Sequence, residues 1–314
     1  MKRLLPALAL LAPLGMLALS ASPARAYFEE VRTGARGTAL GPSAIAVVTD
    51  PSAYYWNPAG LADLPKAEVT ADFISMYGLS DLQSGAAAGA FRVRGTTVGL
   101  GWHHLGLKDV YSEDQLCVAA ARRVMVRPSG HRLAAGATFK FGRAAFQPYS
   151  VSGQPGLVDH GTMSKGSLDL GLRWQTPWRT DIAYVMRDVL QPRYEFVEGS
   201  GGQLQTVRSE VAAAFRWNRE STFSLGWRQV APGRSTVSAG LEITFYDVFA
   251  IRSGLSNLAT IYQSYGPPEN IQYEGGFGVF HRGYHVDAVA STTRDLGASY
   301  RISLRVPIGN GGRP

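Results

Sequence analysis

The sequence is poor in cysteine, in charge and in long apolar runs, and each shortage excludes a class of protein. Cys117 is the one cysteine among 314 residues, so an intramolecular disulfide and a cysteine cluster for zinc or iron–sulfur chemistry are both excluded. Charged residues make up 18% of the chain, below the roughly 25% of a typical soluble domain. The formal net charge of +7 is not gathered into a basic block, so nucleic-acid binding is not predicted.

One long apolar run exists, and it lies at the N-terminus. Lys2 and Arg3 precede an apolar stretch over residues 4–21, and Ala24-Arg25-Ala26 forms a small-residue cleavage site. This pattern predicts an export signal peptide over residues 1–26; a single membrane anchor is the alternative. No later segment reaches the roughly 20 apolar residues that a membrane-spanning helix needs.

A chain without such a helix can cross a membrane only as a closed β-barrel, because lipid offers no partner for unpaired backbone groups. The composition suits that solution, with 36 glycines, 14 tyrosines, 13 phenylalanines and 6 tryptophans. Aromatic residues form girdles at both rims of such barrels, and low charge suits an outer wall that faces lipid.

Alternation of apolar and polar residues is clearest near the C-terminus, where 298–306 places Ala298, Tyr300, Ile302, Leu304 and Val306 on one face of a strand. Similar patterns predict fourteen strands in total, over residues 66–78, 85–94, 96–106, 114–125, 131–142, 167–175, 178–187, 205–217, 220–229, 235–246, 247–255, 271–281, 284–290 and 298–306. The predicted fold is all-β: a transmembrane antiparallel β-barrel of about fourteen strands over residues 66–308, followed by a short tail, 309–314.

Three connections are longer than the rest, over residues 143–166, 188–204 and 256–270, and each is rich in glycine or proline. In outer-membrane barrels the long loops lie outside the cell and the short turns face the periplasm. We therefore expect these three segments on the extracellular side. The predicted location is the bacterial outer membrane, with outer-membrane lipid as the surrounding partner.

Residues 27–65 do not alternate like the strands that follow. Gly34, Gly37 and Gly41 punctuate the segment, and Asp50-Pro51 and Asn57-Pro58 each set a turn or begin a helix. Small residues between these points allow close packing in a confined space. We predict a compact plug inside the barrel; an N-terminal strand and loop on the periplasmic face is the alternative.

Residues 34–41 and 44–61, the latter with Asp50-Pro51-Ser52-Ala53 and Trp56-Asn57-Pro58-Ala59-Gly60, resemble the opening of PorV/PorQ-type proteins, which belong with the FadL-like outer-membrane barrels. A weaker likeness covers 286–290 and 296–304. The resemblance implies a fourteen-stranded barrel with an N-terminal hatch, and the hatch motif of FadL-like proteins maps onto Asn57, Pro58 and Ala59.

Two functions are implied by the resemblance. One branch of these barrels moves hydrophobic small molecules, such as long-chain fatty acids, across the outer membrane. The PorV/PorQ branch serves type IX secretion and surface attachment, with secretion-system proteins as partners. The present chain is shorter than typical members of either branch, and it ends in Gly309-Asn310-Gly311-Gly312-Arg313-Pro314 rather than in an aromatic residue.

Two sets of residues are candidates for the site. Tyr54, Tyr55, Trp56 and Leu61 are predicted to line an apolar ligand pocket near the plug; packing of the plug against the wall is the alternative. By alternation, four charged residues should face the lumen, with Arg301 and Arg305 opposite Asp287 as structural pairs or as a site for an anionic head group; the full set is Asp72, Asp287, Arg301 and Arg305.

The sequence predicts no enzyme, no cofactor and no metal site; an outer-membrane hydrolase is the minor alternative. His103 and His104 are adjacent, so on a strand they point to opposite faces and cannot share a metal ion. The glycine-rich piece 275–278 lies in a strand pattern, which excludes a phosphate loop. The chain has no Gly-x-Ser-x-Gly elbow.

Overall fold

The computed structural model describes residues 32–150, 157–196, 202–231, 234–262, 271–293 and 297–309. The predicted signal peptide, residues 1–26, and most of the predicted tail lie outside the described residues. Within them, the chain forms a β-barrel whose lumen holds a short, mostly helical N-terminal segment.

The described strands, in chain order, are β1 (Glu68–Ser75), β2 (Leu82–Val93), β3 (Thr96–Leu107), β4 (Tyr111–Val126), β5 (Arg132–Phe146), β6 (Tyr149–Ser150), β7 (Leu157–Val158), β8 (Thr162–Gln175), β9 (Thr180–Arg187), β10 (Arg193–Tyr194), β11 (Gln203–Leu204), β12 (Arg208–Arg216), β13 (Ser221–Ala231), β14 (Arg234–Phe245), β15 (Phe249–Tyr262), β16 (Gln272–His281), β17 (Tyr284–Thr293) and β18 (Gly297–Pro307). All but β6, β7, β10 and β11 belong to one closed sheet of fourteen antiparallel strands. The predicted fold class is confirmed.

The barrel closes where its first and last strands pair. The register of β1 with β18 runs from Glu68 opposite Pro307 to Ser75 opposite Tyr300. Each barrel strand therefore has a neighbour on both sides, and none of the fourteen presents an unpaired edge in the described part of the chain. Closure satisfies the backbone groups that an open edge would leave without partners.

Side chains alternate between a close-packed lumen and an exposed outer wall. On β4, Cys117 and Ala119 point inward and are 3% and 1% exposed, whereas Leu116 and Val118 point outward and are 57% and 53% exposed. The inner face carries small and polar residues and the outer face carries large apolar ones. This inversion of the usual soluble pattern is typical of a barrel that meets lipid.

Each of the fourteen predicted segments overlaps one barrel strand. The predicted and observed strands differ most at their ends, because backbone pairing continues beyond the residues whose apolar and polar side chains alternate. Residues 143–146, predicted as loop, belong to β5, where Phe146 pairs with Tyr111. Likewise β15 runs on to Tyr262, and residues 263–270 of the predicted third loop lie outside the described residues.

The two ends of the barrel differ in their connections. At one end, here called the turn end, six connections have two to five residues, between β2 and β3, β4 and β5, β8 and β9, β12 and β13, β14 and β15, and β16 and β17. The opposite end, here called the loop end, carries two longer connections that contain the hairpins β6–β7 and β10–β11. These are two of the three connections predicted to be long.

Residues 33–64, here called the plug, fold inside the barrel. They form α1 (Ala35–Ala39), a 3-10 helix η1 (Gly41–Ala46), α2 (Ala53–Trp56) and a second 3-10 helix η2 (Pro58–Asp63). Gly34 and Gly41 bracket α1 with positive φ angles of 78° and 65°, which glycine adopts without steric cost. No helix among the described residues is long and apolar enough to cross a membrane.

Candidate functional site

Inward-facing glycines let the wall lie directly against the backbone and side chains of the plug. A Cβ atom built on Gly136 would lie 2.5 Å from the carbonyl carbon of Pro58, and one on Gly254 would lie 2.7 Å from the carbonyl oxygen of Ala39. Eight glycines share this property, each with a plug atom 3.0 Å or less from such a Cβ; we call them the glycine belt: Gly99, Gly101, Gly136, Gly171, Gly226, Gly240, Gly254 and Gly276. The plug therefore packs against seven strands at points where the wall carries no side chain.

The Asn57-Pro58-Ala59 motif fastens the plug to β8. Asn57 is fully buried, and its Oδ1 accepts a hydrogen bond of 3.0 Å from the backbone nitrogen of Ala59. Its Nδ2 donates to the carbonyl oxygens of Ile45, at 3.1 Å, and Leu172, at 3.2 Å. One side chain thus caps η2, bridges to η1 and binds the wall.

Polar groups of the wall hold other parts of the plug. Arg187 donates from Nη1 to the carbonyl oxygen of Tyr55, at 2.6 Å, and from Nη2 to that of Trp56, at 3.0 Å. The backbone nitrogen of Gly34 donates to Oδ2 of Asp72 at 2.6 Å. The end of α2 and the residue before α1 are therefore held by buried charged residues of the wall.

The four predicted lumenal charges all face inward, but their pairing differs from the prediction. Nη1 of Arg301 lies 3.5 Å from Oδ2 of Asp72, and Nη1 of Arg305 lies 3.2 Å from Oδ2 of Asp50. Asp287 is bound instead by Arg252, at 2.6 Å. The expected pairing of both arginines with Asp287 is wrong, because long side chains reach across to the plug and to other strands rather than to their own hairpin.

Asp50 is the plug residue at the centre of these charges. Burial alone would raise the pKa of its carboxyl group, but the guanidinium groups of Arg305 and Arg36 and the hydrogen bonds from Ser52 outweigh burial. The pKa of Asp50 therefore lies below its ordinary value. Oδ1 of Asp50 accepts hydrogen bonds from the backbone nitrogen of Ser52, at 3.0 Å, and from its hydroxyl group, at 2.5 Å.

The four predicted pocket residues separate into two pairs. Trp56 and Leu61 are 2% and 0% exposed and pack within the plug or against the wall. Nε1 of Trp56 donates to the carbonyl oxygen of Thr33 at 2.7 Å. Tyr54 is also 2% exposed, but together with the half-buried Tyr55 it lines a cavity.

That cavity, here called the loop-side cavity, lies between the plug and the loop end. Its volume is about 40 Å³. Sequence reasoning found only its two tyrosines, because the other lining residues come from six different strands and two loops. The lining residues are Tyr54, Tyr55, His103, Gln115, Cys117, Lys140, Asp169, Arg187, Asp188, Gln205 and Arg208.

The charges of the loop-side cavity neutralise one another. Nζ of Lys140 lies 2.6 Å from Oδ1 of Asp169 and 2.6 Å from Oδ1 of Asp188, and Arg208 binds Asp188 at 3.0 Å. Asp188 follows the end of β9. Burial alone would raise the pKa of its carboxyl group, but Lys140 and Arg208 hold that pKa well below the usual range.

A second cavity, here called the turn-side cavity, lies beneath the plug at the turn end. Its volume is about 270 Å³, and its lining is rich in paired arginines and carboxylates. Arg36 of the plug binds Glu242 at 2.8 Å, and Arg252 binds the same carboxylate at 2.6 Å. The plug thus separates two polar spaces.

His103 and His104 face opposite sides of β3, as alternation predicts. His103 is 6% exposed and lines the loop-side cavity. His104 lies on the outer wall, where its Nδ1 is 2.9 Å from Oδ1 of Asp114 and its ring stacks near Trp102. Among the residues that the structure describes, no group of three or more histidine, cysteine, aspartate or glutamate side chains is placed to hold a metal ion.

The closed sheet and the plug in its lumen define a plugged fourteen-stranded barrel. This fold is shared with FadL-type barrels of known structure. It is similar to the toluene transporter TbuX of Ralstonia pickettii, with a TM-score of 0.58 and 12% identity over 88% of this chain and 98% of that one. The toluene transporter TodX of Pseudomonas putida has a TM-score of 0.56 and 10% identity, over 85% and 95%. A FadL homologue of Pseudomonas aeruginosa has a TM-score of 0.52 and 13% identity, over 86% and 96%.

At such identities the likeness concerns the fold. No family model and no curated protein matches the sequence. The PorV/PorQ resemblance of residues 34–61 is therefore not supported by a family match, and it stays a prediction. The structural neighbours are transporters and channels rather than enzymes.

Proposed function

We propose that the protein is an outer-membrane barrel that transports small, largely hydrophobic molecules past its plug. The observation that carries this proposal is the position of the plug, which lies between a cavity at the loop end and another at the turn end. Because the wall is continuously paired over the described strands, a molecule that crosses inside the barrel has to pass the plug.

The outer wall supports a membrane location. Phe73 on β1 and Leu116 on β4 are 71% and 57% exposed. Exposure of such large apolar side chains is unfavourable in water. Trp178 and Trp217 are 66% and 75% exposed in connections at the turn end, where an aromatic girdle meets the lipid head groups. Outer-membrane lipid is the partner this surface fits, with the turn end on the periplasmic side.

The residues of the plug take different roles in this proposal. Tyr54 and Tyr55 contact the transported molecule, because they line the loop-side cavity on the side of the plug. Asn57, Pro58 and Ala59 anchor the plug to β8, and Trp56 and Leu61 provide its packing. The lumenal charges hold the plug in place through ion pairs, as between Arg305 and Asp50.

Transport is tested by uptake in a Gram-negative host that lacks its own barrel of this fold. Cells that produce the protein should accumulate labelled toluene or a labelled long-chain fatty acid faster than cells with the empty vector. If producing cells take up neither compound faster than empty-vector cells, although the barrel is correctly folded in the outer membrane, the proposal is overturned.

A disulfide between plug and wall sharpens the test. The Oγ atoms of Ser43 on η1 and Ser224 on β13 lie 2.8 Å apart, close to the ~2.0 Å of a sulfur–sulfur bond. In a Cys117→Ser background, Ser43→Cys with Ser224→Cys should transport when reduced and stop when oxidised. Ser224→Cys alone is the matched control and should be insensitive to oxidation.

A second candidate rests on the likeness of residues 34–61 to PorV/PorQ-type proteins. In that case the barrel is a component of secretion or surface attachment and binds secretion-system proteins. Co-purification from the native cell distinguishes the two functions. Recovery of the barrel alone, together with undisturbed secretion in a deletion strain, would count against this candidate.

A further inference from the structure

Arginine recurs in the short connections at the turn end of the barrel. Five of the six connections contain one arginine each, and all five side chains are exposed. We call these residues the arginine rim: Arg94, Arg127, Arg179, Arg219 and Arg282. The acidic residues of the same six connections are Glu220 and Asp247. This end of the barrel therefore carries an excess of positive charge.

The loop end has the opposite balance over the residues that the structure describes. Its described connections, with their small hairpins, contain Lys108 and Arg193 as basic residues. The acidic residues there are Asp81, Asp109, Asp159, Asp188 and Glu195. The charge of the barrel is thus polarised along its axis, and the positive end is the turn end.

The backbone of the turns does not account for these arginines. Arg94, Arg179 and Arg282 have φ angles of 47°, 57° and 51°, in the left-handed region that favours glycine, asparagine and aspartate. In the two-residue connections that begin with Arg94 and Arg282, the following glycine also has a positive φ. Such hairpin turns usually hold asparagine, aspartate or glycine at the first position. Arginine stands at three strained positions, which points to a role for its charge.

The arginine rim lies at the level of the exposed tryptophans of the turn end. Trp178 directly precedes Arg179, and Trp217 lies two residues before Arg219. A further arginine, Arg122, is exposed on the outer face of β4 and pairs with Thr96, the first residue of β3. Arginine on the lipid face of a barrel is costly at the midplane of the membrane and tolerated near its surface. These positions therefore place the guanidinium groups beside lipid head groups.

The distribution of the arginine rim favours a partner that surrounds the barrel. Its five connections are spread over the closed sheet, from the β2–β3 turn to the β16–β17 turn. A protein bound at one side would contact only some of them, whereas the head groups of the surrounding lipid contact all of them. Guanidinium groups bind phosphate oxygens through paired, charge-assisted hydrogen bonds.

We propose that the arginine rim binds the head groups of anionic phospholipids in the membrane leaflet at the turn end. This binding fixes the depth of the barrel and the direction in which it spans the membrane. The inference rests on the proposed outer-membrane function and names the lipid partner more closely. It does not depend on which molecule the barrel transports.

The probes are spin-labelled phosphatidylglycerol, which is anionic, and spin-labelled phosphatidylcholine, which has no net charge. Each is added in trace amount to the full chain in phosphatidylcholine bilayers, and electron paramagnetic resonance gives the fraction of label whose motion the protein restricts. Phosphatidylglycerol should associate about twofold to fivefold more strongly, as expected when one basic residue meets one anionic head group. Because salt screens this attraction, about 1 M sodium chloride should reduce the preference.

Two matched triple variants test the residues. Arg94→Asn, Arg179→Asn and Arg282→Asn together remove three charges and should lower the preference for phosphatidylglycerol by at least about half. Lysine at the same three positions keeps the charge and should retain most of the preference. Because asparagine suits a positive φ, the asparagine variant should unfold at no lower urea concentration than the wild type in an uncharged detergent. A loss of preference then cannot come from misfolding.

The outcomes separate this inference from the proposed function. If the wild type restricts both lipids equally, or if the asparagine variant keeps the full preference, the arginine rim is not a lipid site, while transport stands. If the protein restricts neither lipid, it does not lie in the bilayer, and the proposed function fails together with this inference.

Discussion

Gly171 on β8 lies directly against the side chain of Asn57 in the plug. A Cβ atom at Gly171 would overlap with Oδ1 of Asn57 and would lie 2.9 Å from Cδ of Pro58. Because three hydrogen bonds fix Asn57, its side chain cannot easily move away. The absence of one methyl group in the wall thus allows the hatch motif to dock.

Gly171→Ala should therefore loosen the plug. We expect a loss of about 1–3 kcal/mol in the free energy of unfolding, the usual range for overpacking a tight interior. Urea unfolding followed by heat-modifiable migration in gels measures it. Gly275→Ala is the control, because a Cβ there would meet nothing within 4 Å; equal effects of both changes would refute the tight contact.

Arg187 should be the most sensitive charged residue of the wall. It binds Glu210 through Nε, at 2.7 Å, and Nη2, at 3.0 Å, besides its bonds to the plug. Arg187→Met leaves the carboxylate buried and unpaired, which costs about 3–5 kcal/mol of stability. Arg187→Met with Glu210→Met should recover part of that loss in urea unfolding. Arg219→Met, in an exposed turn, should have little effect.

The depressed pKa of Asp50 predicts acid sensitivity of the plug. A carboxyl group whose pKa is lower in the folded than in the unfolded state stabilises the fold above its unfolded value, about 3.9 for aspartate. That stabilisation is lost as the pH falls through the folded value. Urea midpoints of the wild type should therefore decline below about pH 4, and Asp50→Asn should show less of this decline; identical profiles would contradict the assignment.

Cys117 offers a chemical probe of the loop-side cavity. It is 3% exposed and lines that cavity, and it is the one cysteine in the chain. Because thiol reactivity follows access, a bulky maleimide should react at least about a hundredfold more slowly with the folded barrel than with the unfolded chain. Gly171→Leu should raise the rate in the folded state by displacing the plug. A wild-type rate equal to that of the unfolded chain would show that the cavity is open.

The strands could be predicted because the outer positions of the wall are exposed and carry mostly large apolar residues. The alternation over 298–306 needs no knowledge of the rest of the fold, and β18 spans Gly297–Pro307. Strand ends were less predictable, since pairing such as Phe146 with Tyr111 depends on a neighbouring strand. The inward direction of Asp72 and Arg301 could also be predicted, because successive side chains of a strand point to opposite faces.

Contacts across the lumen could not be predicted in this way. Arg305 forms an ion pair with Asp50 of the plug, and nothing in the sequence around either residue indicates this pairing. The glycine belt was missed for a similar reason. A glycine within a strand looks the same whether it relieves strain or admits a neighbouring backbone, and only the position of the plug distinguishes these uses.

Chain order has a consequence for assembly. The plug precedes every barrel strand, yet α1 contacts β15, β16, β17 and β18, which are made last. The ring is sealed when β18 meets β1. The helix α1 can therefore reach its final contacts only when the last strands are in place, although other parts of the plug contact strands that are made earlier, such as β4 and β5. The sheet thus wraps around the beginning of its own chain before the first and last strands pair.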